Sequence, residues 1–284
     1  MRFTANMQQP DTLRAVLYGM SFLRKHCLIR ITDGRFTLVS FKESLGQSAT
    51  QIWTHLELAD IFSEIQIGSL DNDHINMELN LDHFVRALKS CTSSSDTVKV
   101  KLAKRGRIPY LAVSVDSPSY TSIKQEIPIK VIRESVLEGI AEPTIPNPDV
   151  SLEIYRQVRS VLRICDRYRN LAKHITLTAN RAGELRIAIQ NDDVTVEATW
   201  TNLTLMLSCD SQDDDDDSQQ QVDKETLYSV VVNADELFDT LRISYASRRI
   251  IFCISDRFTL MLHVLLAGLD DHSYVSYYIP SLTL

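Results

Sequence analysis

Residues 25–41, KHCLIRITDGRFTLVSF, and residues 173–189, KHITLTANRAGELRIAI, contain the same features in the same order. In each stretch a Lys-His pair closes a segment of helical periodicity, and two strand-like segments follow on either side of a glycine turn. The two copies are offset by 148 residues at the lysines and by 149 at the glycines, Gly34 and Gly183. Further along, Leu88 and Leu241 match at an offset of 153. These matches predict an internal duplication of about half of the chain.

Alternating apolar and polar positions, rich in β-branched residues, dominate the chain and predict a mainly β protein. Helical periodicity is confined to four segments, and Asn80 is the predicted N-cap of the second. The four segments are Asp11–Lys25, Leu81–Lys89, Arg156–Leu171 and Ala234–Arg249. The predicted fold class is therefore α+β.

A proline-rich stretch, EPTIPNP at Glu142–Pro148, separates the two copies and holds three prolines in seven residues. Proline fixes its own backbone and lacks an amide donor, so this stretch is predicted to be an extended linker. We predict an N-terminal domain at residues 1–133, a connector at 134–149 and a C-terminal domain at 150–284.

Acidic residues are concentrated in one place. The chain of 284 residues has a net charge of −7, and residues 208–223 alone carry seven aspartates and no basic residue. The rest of the chain is therefore neutral. The run Asp213–Asp217 predicts an acidic surface loop at 208–223. Ser-Gln pairs border this run, so a regulatory segment is the alternative interpretation.

Basic residues are concentrated on the predicted helices, which together carry +7. Arg156, Arg159, Arg163 and Arg167 follow helical spacing and form one stripe. Such a stripe can solvate an exposed helix, or it can bind phosphates without reading bases. The candidate DNA-binding residues are Arg14, Lys25, Arg86, Lys89, Arg156, Arg159, Arg163, Arg167, Lys173, Arg242 and Arg249.

Signals for catalysis are weak. The sequence has no glycine-rich phosphate loop, zinc-protease motif or nucleophile elbow, so no catalytic, cofactor or metal site is predicted. Asp82-His83 and Asp270-Asp271-His272 are acid–histidine neighbours, for which a structural role is the favoured interpretation. The five scattered cysteines form no CxxC pair and indicate a reducing compartment. No stretch is long and apolar enough for a membrane span, and no membrane association is predicted.

Beyond these patterns, the chain resembles the sliding clamps typified by the proliferating-cell nuclear antigen. Local sequence is similar to the Hus-type subunit of the nine-one-one DNA-damage checkpoint clamp. The similar stretches are EIPIKVI at Glu126–Ile132, EPTIPNPDVS at Glu142–Ser151, NRAGEL at Asn180–Leu185, the start Met1-Arg2-Phe3 and SYYIPSL at Ser276–Leu282.

This resemblance implies two tandem clamp domains with antiparallel sheets outside and four basic helices lining the inner face. It implies a non-enzymatic, nuclear subunit of a heterotrimeric ring with Rad-nine-type and Rad-one-type partners. The ring would be loaded by a replication-factor-C-like loader onto double-stranded DNA and primer–template junctions, whatever their sequence. It would then serve as a platform for checkpoint kinases and repair enzymes.

The resemblance also implies that partner peptides dock at the connector, with Val136, Leu137, Ile140 and Ile145 as apolar anchors. The alternative is that these side chains only cover the sheet of the N-terminal domain. Two other functions are weighed against the checkpoint clamp. One is a homotrimeric replicative processivity clamp, and the other is a metal-dependent hydrolase that uses Asp270, Asp271 and His272.

Overall fold

The computed structural model describes residues 2–40, 49–68, 74–91, 93, 95–118, 122–137, 139–145, 147–206 and 223–282. Residues 208–222 of the predicted acidic loop lie outside this set. The chain forms two compact units. Unit 1 comprises Met1–Phe41, Gln51–Glu142 and Leu265–Val275, and unit 2 comprises Lys42–Thr50, Pro143–Val264 and Ser276–Leu284.

Between residues 2 and 137, the described part of unit 1 forms nine strands and four helices. Its strands are β1 (Arg2–Met7), β2 (His26–Ile31), β3 (Arg35–Ser40), β4 (Gln51–Glu57), β5 (Phe62–Gly68), β6 (Ile75–Asn80), β7 (Thr97–Arg105), β8 (Ile108–Asp116) and β9 (Ser122–Val131). Its helices are α1 (Pro10–Leu23), α2 (Leu58–Ile61), α3 (Leu81–Leu88) and α4 (Glu134–Leu137). The strands follow the order β4-β3-β2-β6-β9-β8-β7-β1-β5.

Unit 2 contains β10 (Val150–Glu153), α5 (Val158–Tyr168), β11 (His174–Ala179), β12 (Leu185–Gln190), β13 (Thr195–Trp200), β14 (Thr204–Leu205), β15 (Tyr228–Asn233) and α6 (Ala234–Leu241). A 3-10 turn (Arg242–Ala246), β16 (Ser247–Ser255), β17 (Thr259–Leu266) and β18 (Tyr274–Pro280) follow. One sheet has the order β14-β10-β16-β17-β18, and the other has the order β13-β12-β11-β15.

The same topology occurs twice, which confirms the predicted duplication. Each copy places a strand before its first long helix, five strands between its two long helices and three strands after the second. Pairing also repeats, because β2 lies between β3 and β6 as β11 lies between β12 and β15. The second long helix begins in the same way in both copies: Lys25 O accepts the Leu81 amide at 2.8 Å, and Lys173 O accepts the Ala234 amide at 2.9 Å.

Apolar faces of the long helices pack into the core of each unit. Leu13, Val16, Leu17 and Met20 of α1 are buried, and the thioether of Met20 accepts a hydrogen bond from Thr54 Oγ1 at 3.7 Å. Asn80 caps α3 as predicted, since its side chain accepts from the amides of Asp82 and His83. The capping bond satisfies amides that have no partner inside the helix.

A distant segment completes unit 1. Ser273 Oγ accepts the Glu57 amide at 3.0 Å and donates to Asp60 Oδ2 at 3.0 Å. Residues 265–275 therefore supply polar contacts at the junction of β4 and α2, although they follow most of unit 2 in the chain.

The predicted helix Ala234–Arg249 is wrong in its second half. The α-helix ends at Leu241, and Ser247 starts strand β16. Residues 251–254 pair with β10, so ladder hydrogen bonds and burial of Ile250 and Phe252 outweigh helical periodicity there. Arg242 therefore lies in the 3-10 turn and Arg249 lies on a strand.

Other predicted segments differ at their ends. Helix α5 spans Val158–Tyr168, so Arg156 lies in the preceding turn. Helix α1 ends at Leu23, which leaves Lys25 in the link to β2. Strand β5 contains a bulge, because Glu64 has a φ of 50° and the register to β1 shifts between Thr4 and Asn6.

Candidate nucleic-acid interface

Helix α5 presents three arginines on its exposed face. Val158, Val161, Cys165 and Tyr168 are buried at spacings of three and four residues. This packing fixes the rotation of the helix about its axis. Arg159, Arg163 and Arg167 are exposed, as are Ser160 and Asp166, and Arg156 is exposed in the turn before the helix.

These arginines have no acidic partner. In the described part of the chain, no carboxylate lies within salt-bridge distance of Arg156, Arg159, Arg163 or Arg167. Arg169 differs, because it pairs with Asp166 at 2.8 Å and its guanidinium lies 4.0 Å from the centre of the Phe238 ring. The N–H donors of the four unpaired guanidinium groups are available to an external anion. Those of Arg169 are already engaged.

Two predicted residues near α6 are already engaged. Arg242 lies 3.5 Å from Asp239 and contacts the face of Phe238. Burial raises the pKa of Asp239, although Arg242 opposes this shift. Arg249 lies on strand β16 and not on the predicted helix, and it donates to Glu153 Oε2 at 2.9 Å across the β10–β16 pair.

In unit 1, the predicted basic residues lie at α1 and α3. Arg14 pairs with Asp11 at 2.8 Å, while Arg86 is exposed on α3. The Lys89 ammonium lies 5.8 Å from the centre of the Tyr18 ring. Lys25 is exposed between α1 and β2. Lys25 and Lys173 occupy equivalent positions, because both residues accept the first amide of the next long helix.

The connector begins with a helical turn, α4, and its predicted anchors differ in their surroundings. Val136 is 62% exposed, whereas Leu137 is 5% exposed. Leu137 and Ile140 line a cavity of about 240 Å³ in unit 1. Ile145 instead lines a cavity of about 270 Å³ in unit 2, with Met261 and Tyr278.

Polar side chains hold the connector at Glu134 and at Glu142, and sequence reasoning missed them. Glu134 accepts from Arg30 and Asn76, each at 2.7 Å. Glu142 lies 2.9 Å from His55 Nε2. No local signal could have identified these pairs, because the partners are 58 to 104 residues apart in the sequence.

The acid–histidine neighbours do not form a metal centre. Asp270, Asp271 and His272 are exposed in the turn between β17 and β18. Among the described residues, no group of three His, Cys, Asp or Glu side chains is placed to hold a metal ion. None of the described helices has the length and apolar character needed to cross a bilayer.

Comparison with known proteins agrees with this fold. A family model described as Hus1-like protein matches residues 1–283. The checkpoint protein hus1 of Schizosaccharomyces pombe is 27% identical over 99% of both chains. Checkpoint protein HUS1 of Homo sapiens is 31% identical over 64% of this chain and 65% of its own.

A solved structure shows the same architecture. The proliferating cellular nuclear antigen of Entamoeba histolytica superposes with a TM-score of 0.73 over 99% of both chains, at 12% sequence identity. The predicted α+β sliding-clamp fold is thereby confirmed.

Proposed function

The chain belongs to the Hus1-like family, and on that premise we propose that it is a non-enzymatic subunit of a checkpoint sliding clamp that encircles DNA. The names of the relatives, which are checkpoint proteins, support this function over a replicative clamp. The clamp fold supports encirclement of DNA over hydrolysis. The single observation that carries the DNA contact is the row of unpaired arginines at α5.

Contact through these arginines would be independent of sequence. Guanidinium groups bind phosphate oxygens, which every DNA sequence presents in the same way. The exposed face of α5 carries Arg159, Arg163 and Arg167 but no aromatic side chain on which bases would stack. Arg86, Lys25, Lys89 and Lys173 would extend the same phosphate-binding surface in the assembled ring.

The partners follow from the size of the chain and its family. A ring of six clamp domains needs two further two-domain subunits, which we infer to be of the Rad-nine and Rad-one types. A replication-factor-C-like loader would open this ring at primer–template junctions in the nucleus. The loaded ring would then recruit checkpoint kinases and repair enzymes.

The proposal is tested by reversing Arg159 and Arg163 to Glu together and measuring how binding of the assembled ring to duplex DNA depends on salt. Each phosphate contact contributes about 0.9 to the slope of log K against log salt. Loss of two contacts should lower that slope by about 1.8, equally on unrelated DNA sequences.

The matched control reverses Lys224 and Arg257, which are exposed on loops of the same unit. It changes the net charge equally and should leave the slope nearly unchanged. Equal slopes for wild type and the Arg159/Arg163 variant would refute the assignment. A stable homotrimer of the purified chain in light scattering would refute the heterotrimeric assembly.

The connector is proposed to dock partner peptides through Ile140 and Val136. The cavity beside Ile140 and the large exposure of Val136 support this role. Leu137 is too deeply buried to separate docking from folding. Val136→Ser should weaken binding of repair partners without changing ring assembly or thermal stability, whereas unchanged partner binding would exclude Val136 as an anchor.

A further inference from the structure

The β7–β8 hairpin carries a dense positive charge that the DNA-binding proposal does not use. Residues 97–107 contain five basic residues and no acidic one, namely Lys99, Lys101, Lys104, Arg105 and Arg107. Strand β7 is paired with β8 along its whole length, and its residues 98–101 are also paired with β1 on the other side. The backbone around Lys99 and Lys101 is therefore satisfied on both sides, and only the side chains there are available to a partner.

Alternation along the strands separates two faces of this sheet. Val98 and Val100 are buried. Val100 is opposite Val113 of β8, and Val113 is opposite Gln125 of β9, so Gln125 lies on the same face as Val100. The Gln125 side chain donates to Ser90 Oγ at 2.7 Å, just beyond α3, so this face is the helix side. Lys99 and Lys101 are exposed on the opposite face.

The opposite face has an excess of positive charge. The residues directly opposite Lys99 and Lys101 on β1 and β8 are uncharged: Asn6, Thr4, Ser114 and Ala112. Asp116, opposite Thr97 on the same face, accepts from Ser122 Oγ at 2.6 Å. On β9, Glu126 is already shared by Arg105 at 2.8 Å and Lys124 at 3.8 Å. No carboxylate among the described residues forms a salt bridge with Lys99 or Lys101.

An apolar side chain lies next to these charges. Ile108 is 67% exposed and directly opposite Arg105 in the register of β7 and β8. Tyr110, opposite Ala103, is half-buried on the same face. A large exposed β-branched side chain beside lysines and arginines indicates a binding surface. A partner on this surface would cover apolar area and charged groups together.

We propose that this basic sheet face, defined by Lys99, Lys101, Arg105 and Ile108, binds an extended acidic segment of a partner polypeptide that carries an apolar residue. Charge complementarity selects the acidic chain. Side chains two residues apart on a strand are separated by about 6.8 Å, which matches alternate side chains of an extended peptide. This inference is independent of DNA binding by the helices.

The same features favour a peptide over nucleic acid. Ile108 would make no favourable contact with phosphates, whereas an apolar peptide residue would gain from covering it. The sheet face is also flat and provides neither a helix nor a free ribbon to enter a DNA groove.

The test uses the full chain and a short fluorescent peptide in which aspartate alternates with serine around one central leucine. Reversal of Lys99 and Lys101 to Glu should weaken binding at least about tenfold, because two attractions become repulsions. The control reverses Lys25 and Lys89, which have the same charge but lie at the helices of the same unit. It should change peptide binding less than about twofold.

A second variant, Ile108→Ser, tests the apolar part. It should lower the affinity for the leucine peptide about fivefold. The affinity for a peptide with serine in place of leucine should not change. The proposal is overturned if the peptide does not bind, or if both lysine pairs matter equally. It is also overturned if an oligothymidylate of equal charge displaces the peptide and loses affinity on reversal of Lys99 and Lys101, since the face would then bind nucleic acid.

Discussion

Gly34 and Gly183 occupy equivalent turns but differ in their surroundings, which makes them a matched pair for mutation. Both have positive φ, 90° and 87°, and each carbonyl accepts one backbone amide, from Leu58 at 2.8 Å and from Leu203 at 2.9 Å. A Cβ at Gly34 would meet nothing within 4 Å. A Cβ at Gly183 would lie 2.5 Å from the carbonyl oxygen of Leu203.

The expected cost of alanine follows from this difference. At Gly34 only the left-handed backbone is unfavourable, at about 1–2 kcal/mol. At Gly183 the same cost applies, and Leu203 must also move away. That movement weakens its hydrogen bond, worth about 1 kcal/mol, and disturbs its packing by about 1–2 kcal/mol. We therefore expect Gly183→Ala to lower the free energy of unfolding by about 3–5 kcal/mol.

The two tryptophans allow each unit to be followed separately. Trp53 lies in unit 1 and Trp200 lies in unit 2. Urea unfolding of Gly183→Ala is measured by fluorescence with Trp53 replaced by Phe, and that of Gly34→Ala with Trp200 replaced by Phe. Each is compared with its own parent. If both variants shift their midpoints by the same free energy, the close approach of Leu203 does not determine the cost.

Three further predictions concern stability and reactivity. Burial raises the pKa of the thiols of Cys27 and Cys253 and raises the pKa of Cys165 to about 12. Alkylation of all three thiols at neutral pH should therefore require unfolding, and rapid labelling of the folded protein in mass spectrometry would contradict this. Asn80→Ala removes the cap of α3 and should cost about 1 kcal/mol in urea unfolding, whereas no change would show that the cap is dispensable. The raised pKa of Asp239 contributes stability that is present below the usual aspartate value of 3.8 and lost as pH rises through the folded-state pKa. Asp239→Asn should therefore gain stability relative to wild type between acidic and neutral pH, and a pH-independent difference in thermal unfolding would contradict the shift.

Much of the fold was predictable because each copy repeats the same local patterns. The helix–strand–glycine–strand order at Lys25 and Lys173 appears in the structure with matching topology. The prediction failed where tertiary pairing decides the outcome. Residues after Leu241 have helical spacing, but ladder pairing with β10 makes a strand from Ser247 onward.

The basic surface was predictable in part. The rotation of α5 follows from its apolar spacing, so the positions of Arg159 and Arg163 could be inferred from the sequence. Ion pairs between residues far apart in the sequence could not be inferred in this way. Arg249 binds Glu153, which is 96 residues away in the sequence. The basic face of Lys99 and Lys101 was not predicted, because lysines that alternate with apolar residues are also typical of any strand with one face in solvent.

The contribution of residues 265–275 to unit 1 affects how the chain responds to cleavage. A protease that cuts in the connector would produce an N-terminal fragment carrying Glu57 and Asp60 and a C-terminal fragment carrying Ser273. Unit 1 needs both fragments, since their side chains meet within it. The nicked protein should therefore migrate as one species on a native gel and separate only in denaturant, so severing the connector does not by itself release the N-terminal half.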